Sequence, residues 1–269
     1  MLSPASSKEV SSTVILAENL WCGYPDHTVL RGIAFSVEEG EFLGILGPNG
    51  SGKTTLLHAL SGILPFQEGR IEILGLPLDQ IKPKQRARRI AVVTQDSEVR
   101  FPFTCEEVVR MGRYPHRKRW QLDSAEDMMA VQRAMALTDT AMLADRLITA
   151  VSGGERQRVI MAKTLAQEAK IMLLDEATSA MDVHRKLHMF KVLKQLHGND
   201  KLTVVAVMHD VNLAALFCHR MIFIRDGCVV ADGPSNSVLI PEVLEEVYQT
   251  RVLIQEISDI GKRQVVFIP

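Results

Sequence analysis

The chain has 269 residues, enough for one large α/β domain or for a core with a smaller insertion. Its 46% hydrophobic and 23% charged residues are the composition of a packed globular protein, not a disordered one. A formal net charge of −1 and only 5% aromatic residues argue against a general nucleic-acid binder, which needs a basic surface or stacking rings. The four cysteines, Cys22, Cys105, Cys218 and Cys228, form no C-x-x-C pair and no Cys/His cluster with zinc spacing, so they are expected as free thiols in a reducing compartment.

In chain order, the polar start MLSPASSKEVSS lacks the apolar centre of a secretory signal and reads as a frayed terminus. No apolar run approaches the ~20 residues that cross a bilayer, so a cytoplasmic protein is expected, with any membrane role coming through a partner. Short β-rich runs follow at Thr13–Leu16, Glu41–Leu46, Ile90–Thr94, Ile171–Asp175, Thr203–Met208 and Met221–Arg225, each expected to lead through a turn into a helix. Several are nearly continuous in apolar residues, as strands buried on both faces are, which predicts a mainly parallel sheet with helices on either side.

The stretch from Ser97 to Val151 is rich in Met, Ala, Arg, Glu and Asp and is expected to be helical. Thr104 and Glu107 stand at capping-box spacing, and Asp123 opens a second helical pattern through about Ala136. The expected organisation is an α/β core of 1–96 and 162–235, an inserted helical subdomain of 97–161, and a C-terminal extension of 236–269. In that extension Pro241–Gln249 reads as a helix with proline in its first turn, and Gln264–Ile268 as a last strand.

Gly47-Pro48-Asn49-Gly50-Ser51-Gly52-Lys53-Thr54 matches G-x-x-x-x-G-K-[ST] without a gap, with Thr55 next in line. The run Phe42–Leu46 precedes it and a helical pattern, Thr54–Ser61, follows, which is the setting a phosphate-binding loop needs. Glycines let backbone N–H groups turn towards an anion, and the helix start adds partial positive charge. Lys53 would reach the β- and γ-phosphates of ATP, and Thr54 would offer its hydroxyl to Mg²⁺. The plainer reading is a Gly-rich turn with a surface lysine.

A second acidic motif ends the run Ile171–Asp175, where Asp175 and Glu176 follow four apolar residues. Ligands of open parallel sheets sit beyond the carboxyl ends of strands. Asp175 would there meet the Mg²⁺ held by Thr54, and Glu176 would orient and deprotonate the attacking water. Alone, an Asp-Glu pair after a strand reads as a solvated turn. Upstream, Val151-Ser152-Gly153-Gly154-Glu155-Arg156-Gln157-Arg158 reads as a helix start, with Ser152 and Glu155 forming a capping box, and also as a second phosphate-binding surface.

With these motifs in this order, the chain from Val14 to its C-terminus resembles the nucleotide-binding subunit of an ATP-binding cassette (ABC) transporter. The resemblance implies a P-loop NTPase, RecA-like core with an inserted helical subdomain and an antiparallel β edge. It implies that Ser152, Gly153, Gly154 and Glu155 reach the γ-phosphate of ATP on the opposite subunit of a head-to-tail dimer. Val151 stands where Leu is usual and Glu155 where Gln is common, both within the family's range. By resemblance Tyr24 stacks on adenine, Gln95 contacts Mg²⁺ and senses the membrane partner, Asp182 crosses the dimer interface, and His209 contacts the γ-phosphate. Each alone has a plainer reading: a core-edge Tyr, a surface Gln, a turn Asp and a helix-start His.

The stretch Val108–Arg117, the segment His209–Ala215 and the tail Pro241–Val252 resemble the ATPases of iron-siderophore, haem and vitamin B12 importers. This implies ATP-driven import through integral membrane permease subunits, with a periplasmic or extracellular substrate-binding protein as indirect partner and a peripheral place on the cytoplasmic face of the cell membrane. An ABC exporter ATPase is one alternative, and a non-transport ATPase acting on ribosomes or DNA another. The basic stretch Arg110–Arg119 reads either as a solvated face or as a surface facing the membrane or permease, and Lys82–Arg89 is ambiguous in the same way.

Overall fold

The computed structural model describes residues 13–94, 101–118, 122–178, 181–259 and 261–268; the Ser-rich start lies outside them. Twelve strands among these residues make three sheets. The central one takes β3 (Phe42–Leu46), β6 (Ile90–Val93), β7 (Ile171–Asp175), β8 (Thr203–Val207), β9 (Arg220–Arg225) and β10 (Cys228–Pro234) in the order β10-β9-β3-β8-β7-β6. All neighbours in it are parallel except β10, which returns antiparallel to β9. The second is an antiparallel sheet of β1 (Thr13–Tyr24), β2 (His27–Glu38), β4 (Phe66–Ile73) and the short β5 (Leu76–Pro77), and the third is the hairpin of β11 (Arg251–Ile257) and β12 (Lys262–Ile268).

The strands β3 and β6 to β9 lie within a residue of the positions their apolar runs predict, and the expected mainly parallel core with an antiparallel edge is what forms. The first run departs from expectation. It continues to Tyr24 and turns back as a strand, β2, rather than a helix. Its alternation is interrupted by register shifts between Ala17 and Leu20 and between Leu20 and Cys22, with Asn19 in the left-handed region at φ 45°. Such bulges erase the period-two pattern by which a strand is recognised.

Alternate side chains of the central strands enter two cores. Phe42, Met172, Leu174, Val204, Ala206, Met221 and Phe223 face α6 (Val183–Asp200), α7 (Val211–Phe217) and α9 (Pro241–Tyr248). Leu43, Ile45, Leu173, Val205, Val207, Ile222 and Ile224 face α1 (Lys53–Ser61) and the antiparallel sheet. At about 1.5–3 kcal/mol for each large apolar side chain buried, these two layers hold the sheet rigid from both sides.

The helical stretch carries α3 (Cys105–Arg110), α4 (Ala125–Leu137) and α5 (Gly153–Ala166); α2 (Pro83–Ala87) and α8 (Ser235–Val238) are single-turn connectors. Thr104 and Glu107 close the expected capping box, and Ser124, one residue after the expected Asp123, caps α4 with Asp127. The expected boundary at 161/162 falls inside α5, whose buried Val159, Ile160, Met161 and Ala162 join the helices to the sheet in one core.

The basic stretch that begins at the end of α3 is only partly solvated. Arg113 is 6% exposed and donates to Asp127 (2.8 Å), to the Ala166 carbonyl (2.8 Å) and to Glu168 (2.7 Å), tying three segments together. Arg110 and Arg117 pair with Asp123, and His116 contacts the Gln167 carbonyl at 2.8 Å. The other basic stretch meets this one: Arg88 donates to the Pro115 carbonyl at 2.7 Å, and Lys84 lies 5.6 Å from the centre of the Tyr114 ring. Arg119 lies outside the described residues.

Arg113→Ala strands a buried carboxylate, so a loss of about 3–5 kcal/mol in denaturant unfolding is expected. Burial works against the charge of Asp127, but its bonds from Arg113 and Ser124 prevail and hold its pKa down at about 2. A depressed folded value means that this contribution is complete above the ordinary carboxylate range, near pH 4, and is lost as pH falls through about 2. Unfolding measured between pH 5 and 2 should therefore steepen in the wild type and flatten in Asp127→Asn.

Candidate functional site

Because β3, β7 and β8 are parallel, their carboxyl ends open on one edge of the sheet, and the connections leaving them meet there. The loop after β3 leads into α1. Two of its glycines are required by geometry. A side chain at Gly47 would put Cβ 2.0 Å from the Ile224 carbonyl oxygen, and Gly52 caps α1 in the left-handed region at φ 104°.

Lys53 begins α1 and is 5% exposed; its Nζ donates to the carbonyls of Gly47 (3.0 Å) and Pro48 (2.8 Å), lying back along the loop. Burial lowers its pKa, while the charges of Glu176 and Asp175 oppose the change. Thr54 donates its hydroxyl to Asp175 Oδ1 at 3.1 Å. Asp175, the last residue of β7, is 2% exposed. Its carboxyl is pushed up by burial, drawn back by the Thr54 hydroxyl, and raised again by Glu176. Ser51 Oγ is buried inside the loop with no hydrogen-bond partner among the described residues.

Glu176 follows β7 with φ 48°, a left-handed conformation that costs a non-glycine residue about 1–2 kcal/mol. Its backbone amide donates to the Val207 carbonyl at 3.3 Å, and Oε1 contacts Nε2 of His209. His209 stands where β8 gives way to α7, and Asp210 caps that helix by accepting from the Leu213 amide at 2.9 Å.

Tyr24, Asn49, Gly50, Gly52, Lys53, Thr54, Thr55, Glu176 and His209 line one cleft of about 550 Å³, together with His27 and Val29. The last two escaped the sequence reading because it did not anticipate the β1–β2 hairpin, whose turn pairs Tyr24 with His27. The Tyr-Pro-Asp-His turn at 24–27 was the available signal. Tyr24 is 48% exposed at the lip.

Two expected residue groups stand apart from this cleft. Ser152 caps α5 in a capping box with Glu155, and Gly153 is exposed at the first turn of α5. Asp182 is exposed and caps α6 through the Arg185 amide at 2.9 Å. Neither group lines the cleft. Gln95, Ser179 and Ala180 lie outside the described residues.

A second cleft of about 560 Å³ opens on the helical stretch, lined in part by Phe103, Met111, Tyr114 and Lys163. Tyr114 is 73% exposed in it, and burial lowers the pKa of Lys163.

Residues 30–179 match the family model described as ABC transporter. The chain is 39% identical over 226 residues to the cobalamin import ATP-binding protein BtuD of Halobacterium salinarum, an alignment that covers 84% of this chain and 56% of that protein. It is 36% identical over 237 residues to the ferric enterobactin transport ATP-binding protein FepC of Escherichia coli, covering 88% of each. Its fold superposes with a TM-score of 0.83 on a structure described as a metal-chelate type ABC transporter in an inward-facing conformation, at 26% identity over 96% of this chain and 98% of that one. The family model spans more than half of the chain and both relatives agree with it along most of its length, so this protein belongs to the ABC transporter family.

Proposed function

We propose that this chain binds and hydrolyses ATP to power import of a metal chelate or corrinoid, of the iron-siderophore, haem or vitamin B12 class, through a membrane permease. The observation that carries the ATPase reading is the meeting of Lys53, Thr54, Glu176 and His209 at one cleft, from three separate strand ends, with Asp175 bonded to Thr54 behind it. The cargo class is supported by the cobalamin and ferric enterobactin relatives and by the metal-chelate type neighbour.

In this reading the loop Gly47–Thr55 cradles the phosphates, Lys53 swings from its own loop carbonyls to the β- and γ-phosphates, and Tyr24 stacks on the adenine. The Thr54 hydroxyl and the Asp175 carboxylate form a small all-oxygen set, the kind Mg²⁺ takes alongside phosphate oxygens and water. Among the described residues no three His, Cys, Asp or Glu side chains gather as in a dedicated metal cage. When bound, that ion supplies neutralisation of phosphate charge. Glu176 takes a proton from the attacking water as its oxygen bonds to the γ-phosphorus. The bond from phosphorus to the bridging oxygen breaks, and ADP leaves. His209 turns from Glu176 to the γ-phosphate.

Ser152, Gly153, Gly154, Glu155 and Asp182 lie away from their own chain's cleft, which supports their serving the nucleotide of a second, head-to-tail copy. The amino end of α5 then offers backbone N–H groups and partial positive charge to the γ-phosphate. The stretch 97–161 acts as the subdomain that faces the permease, at the cleft of Phe103, Met111 and Tyr114. Among the described residues no helix is long and apolar enough to cross a membrane, in keeping with a peripheral subunit on the cytoplasmic face. A substrate-binding protein on the far side would deliver cargo.

The test is ATP-driven uptake in vesicles containing the co-purified permease, scanned over iron chelates, haem and corrinoids. Uptake of one of them is expected; failure of all three overturns the cargo class. Met111→Glu, a charge set in the apolar wall of the second cleft, should abolish co-purification with the permease while nucleotide binding persists. Undiminished recovery of the complex would remove that surface from the reading.

A further inference from the structure

The C-terminal hairpin is hydrogen-bonded to the helix that follows His209 through the side chain of Asn212. Asn212 lies on α7, three residues beyond His209. Its Nδ2 donates to the Val265 carbonyl at 3.1 Å, and its Oδ1 accepts from the Val265 amide at 2.7 Å. Val265 also pairs with Ile254 of β11, and among the described residues the hairpin has two strands, so the other edge of β12 has no strand beside it there. The planar amide of Asn212 fills the place of a neighbouring strand residue there, giving one donor and one acceptor to one peptide unit. Aspartate has the acceptor alone, and aliphatic residues have neither.

The hairpin is also anchored by elements other than α7. Phe267 packs edge-on against Tyr248 at 5.3 Å, and Tyr248 edge-on against Phe223 of β9 at 6.5 Å. The Val252 amide donates to Glu245 Oε1 at 2.9 Å, and Arg263 to the Leu239 carbonyl at 2.9 Å. Val252 and Val265 are both 3% exposed in the core that also holds Met208, beside His209, and Leu213 of α7. A seven-residue helix has little intrinsic stability, so its amino end is fixed by what it is tied to. Here the ties are the core packing of Val211, Leu213 and Ala214, the Asp210 cap and the Asn212 clasp, and of these the clasp alone links the polar face of that end to the hairpin backbone.

We infer that Asn212 is a positioning residue for His209: the hairpin Arg251–Ile268 braces α7 through Asn212 and so fixes where the His209 ring stands over the reacting phosphate. This rests on the role of His209 given above, and the experiment separates the two. ATP hydrolysis by the full chain is measured for the wild type, N212A, N212D, H209A and N212A/H209A. N212A is expected to lower kcat by about ten- to a hundredfold, as displacements of about 1 Å from groups remote from the chemistry do. KM for ATP should stay within about twofold, because ground-state binding is untouched. The double variant should be no slower than H209A, since both act through one ring. N212D keeps the size and one of the two bonds; it should fall between N212A and the wild type, and it carries the test if N212A does not fold. Wild-type kcat in N212A or N212D beside a crippled H209A overturns the inference, as do losses that multiply in the double variant. Wild-type turnover in H209A overturns the role of His209 itself, and the inference with it.

Discussion

Replacing Glu176 with glutamine is expected to leave ATP binding intact and to slow hydrolysis by about 10²–10⁴-fold, the usual contribution of a positioned general base. Glutamine matches glutamate in size and keeps an oxygen for His209, so the left-handed backbone at φ 48° and the contact across the cleft can both persist. What is lost is the capacity to take a proton from water. With binding retained and turnover nearly stopped, the ATP-bound head-to-tail dimer should accumulate. Phosphate release gives the rate, and size-exclusion chromatography with and without ATP gives the association state. Turnover near that of the wild type would remove Glu176 from its assigned role. A slow variant that stays monomeric in ATP would count against the shared site, because the Ser152–Glu155 segment would then have no second cleft to serve.

Lys53→Ala should act one step earlier and remove nucleotide binding. Lys53 is 5% exposed, and its ammonium lies against two loop carbonyls and feels the charges of Asp175 and Glu176. Most of the residue is already withdrawn from water in the folded chain, so a phosphate meets a cation that needs less further desolvation. Charge-assisted bonds are worth about 1.5–3 kcal/mol each, so losing two of them corresponds to a fall in ATP affinity of about a hundredfold or more. Calorimetric titration of ATP into wild type and variant measures this directly. The fold should survive, because the bonds from Lys53 go to its own loop, and far-UV circular dichroism checks that condition. Unchanged affinity in a folded Lys53→Ala chain would contradict the phosphate-loop reading.

The two predictions draw on different kinds of information. Lys53 and Thr54 belong to a contiguous string whose spacing states its chemistry, and the strand before it and helix after it are readable from apolar pattern alone. The same holds for the capping boxes at Thr104 and Ser152 and for β7, whose ends coincide with the expected Ile171–Asp175. These features are local: a cap or a phosphate loop is completed by residues three to eight positions apart. The β1–β2 hairpin is also local, yet its strands carry no readable period, because bulges at Asn19 and beyond interrupt the alternation.

What the sequence determined by itself was therefore the family, the phosphate loop, the acidic strand end and the alternation of buried and exposed stretches, all of them encoded in short-range pattern. Only the tertiary structure decided who meets whom. It brings the Thr54 hydroxyl to Asp175, 121 positions away, and Glu176 to His209, 33 positions away. It turns Arg113 from one of a run of surface-like arginines into a buried tie between α4 and α5. It sets Asn212 against Val265, 53 positions on. Hydrophobic period records which face of an element is buried, but not against which partner. The partner follows from strand order and from the parallel sense that gathers the carboxyl ends of β3, β7 and β8 on one edge, and that order is fixed by packing the two cores.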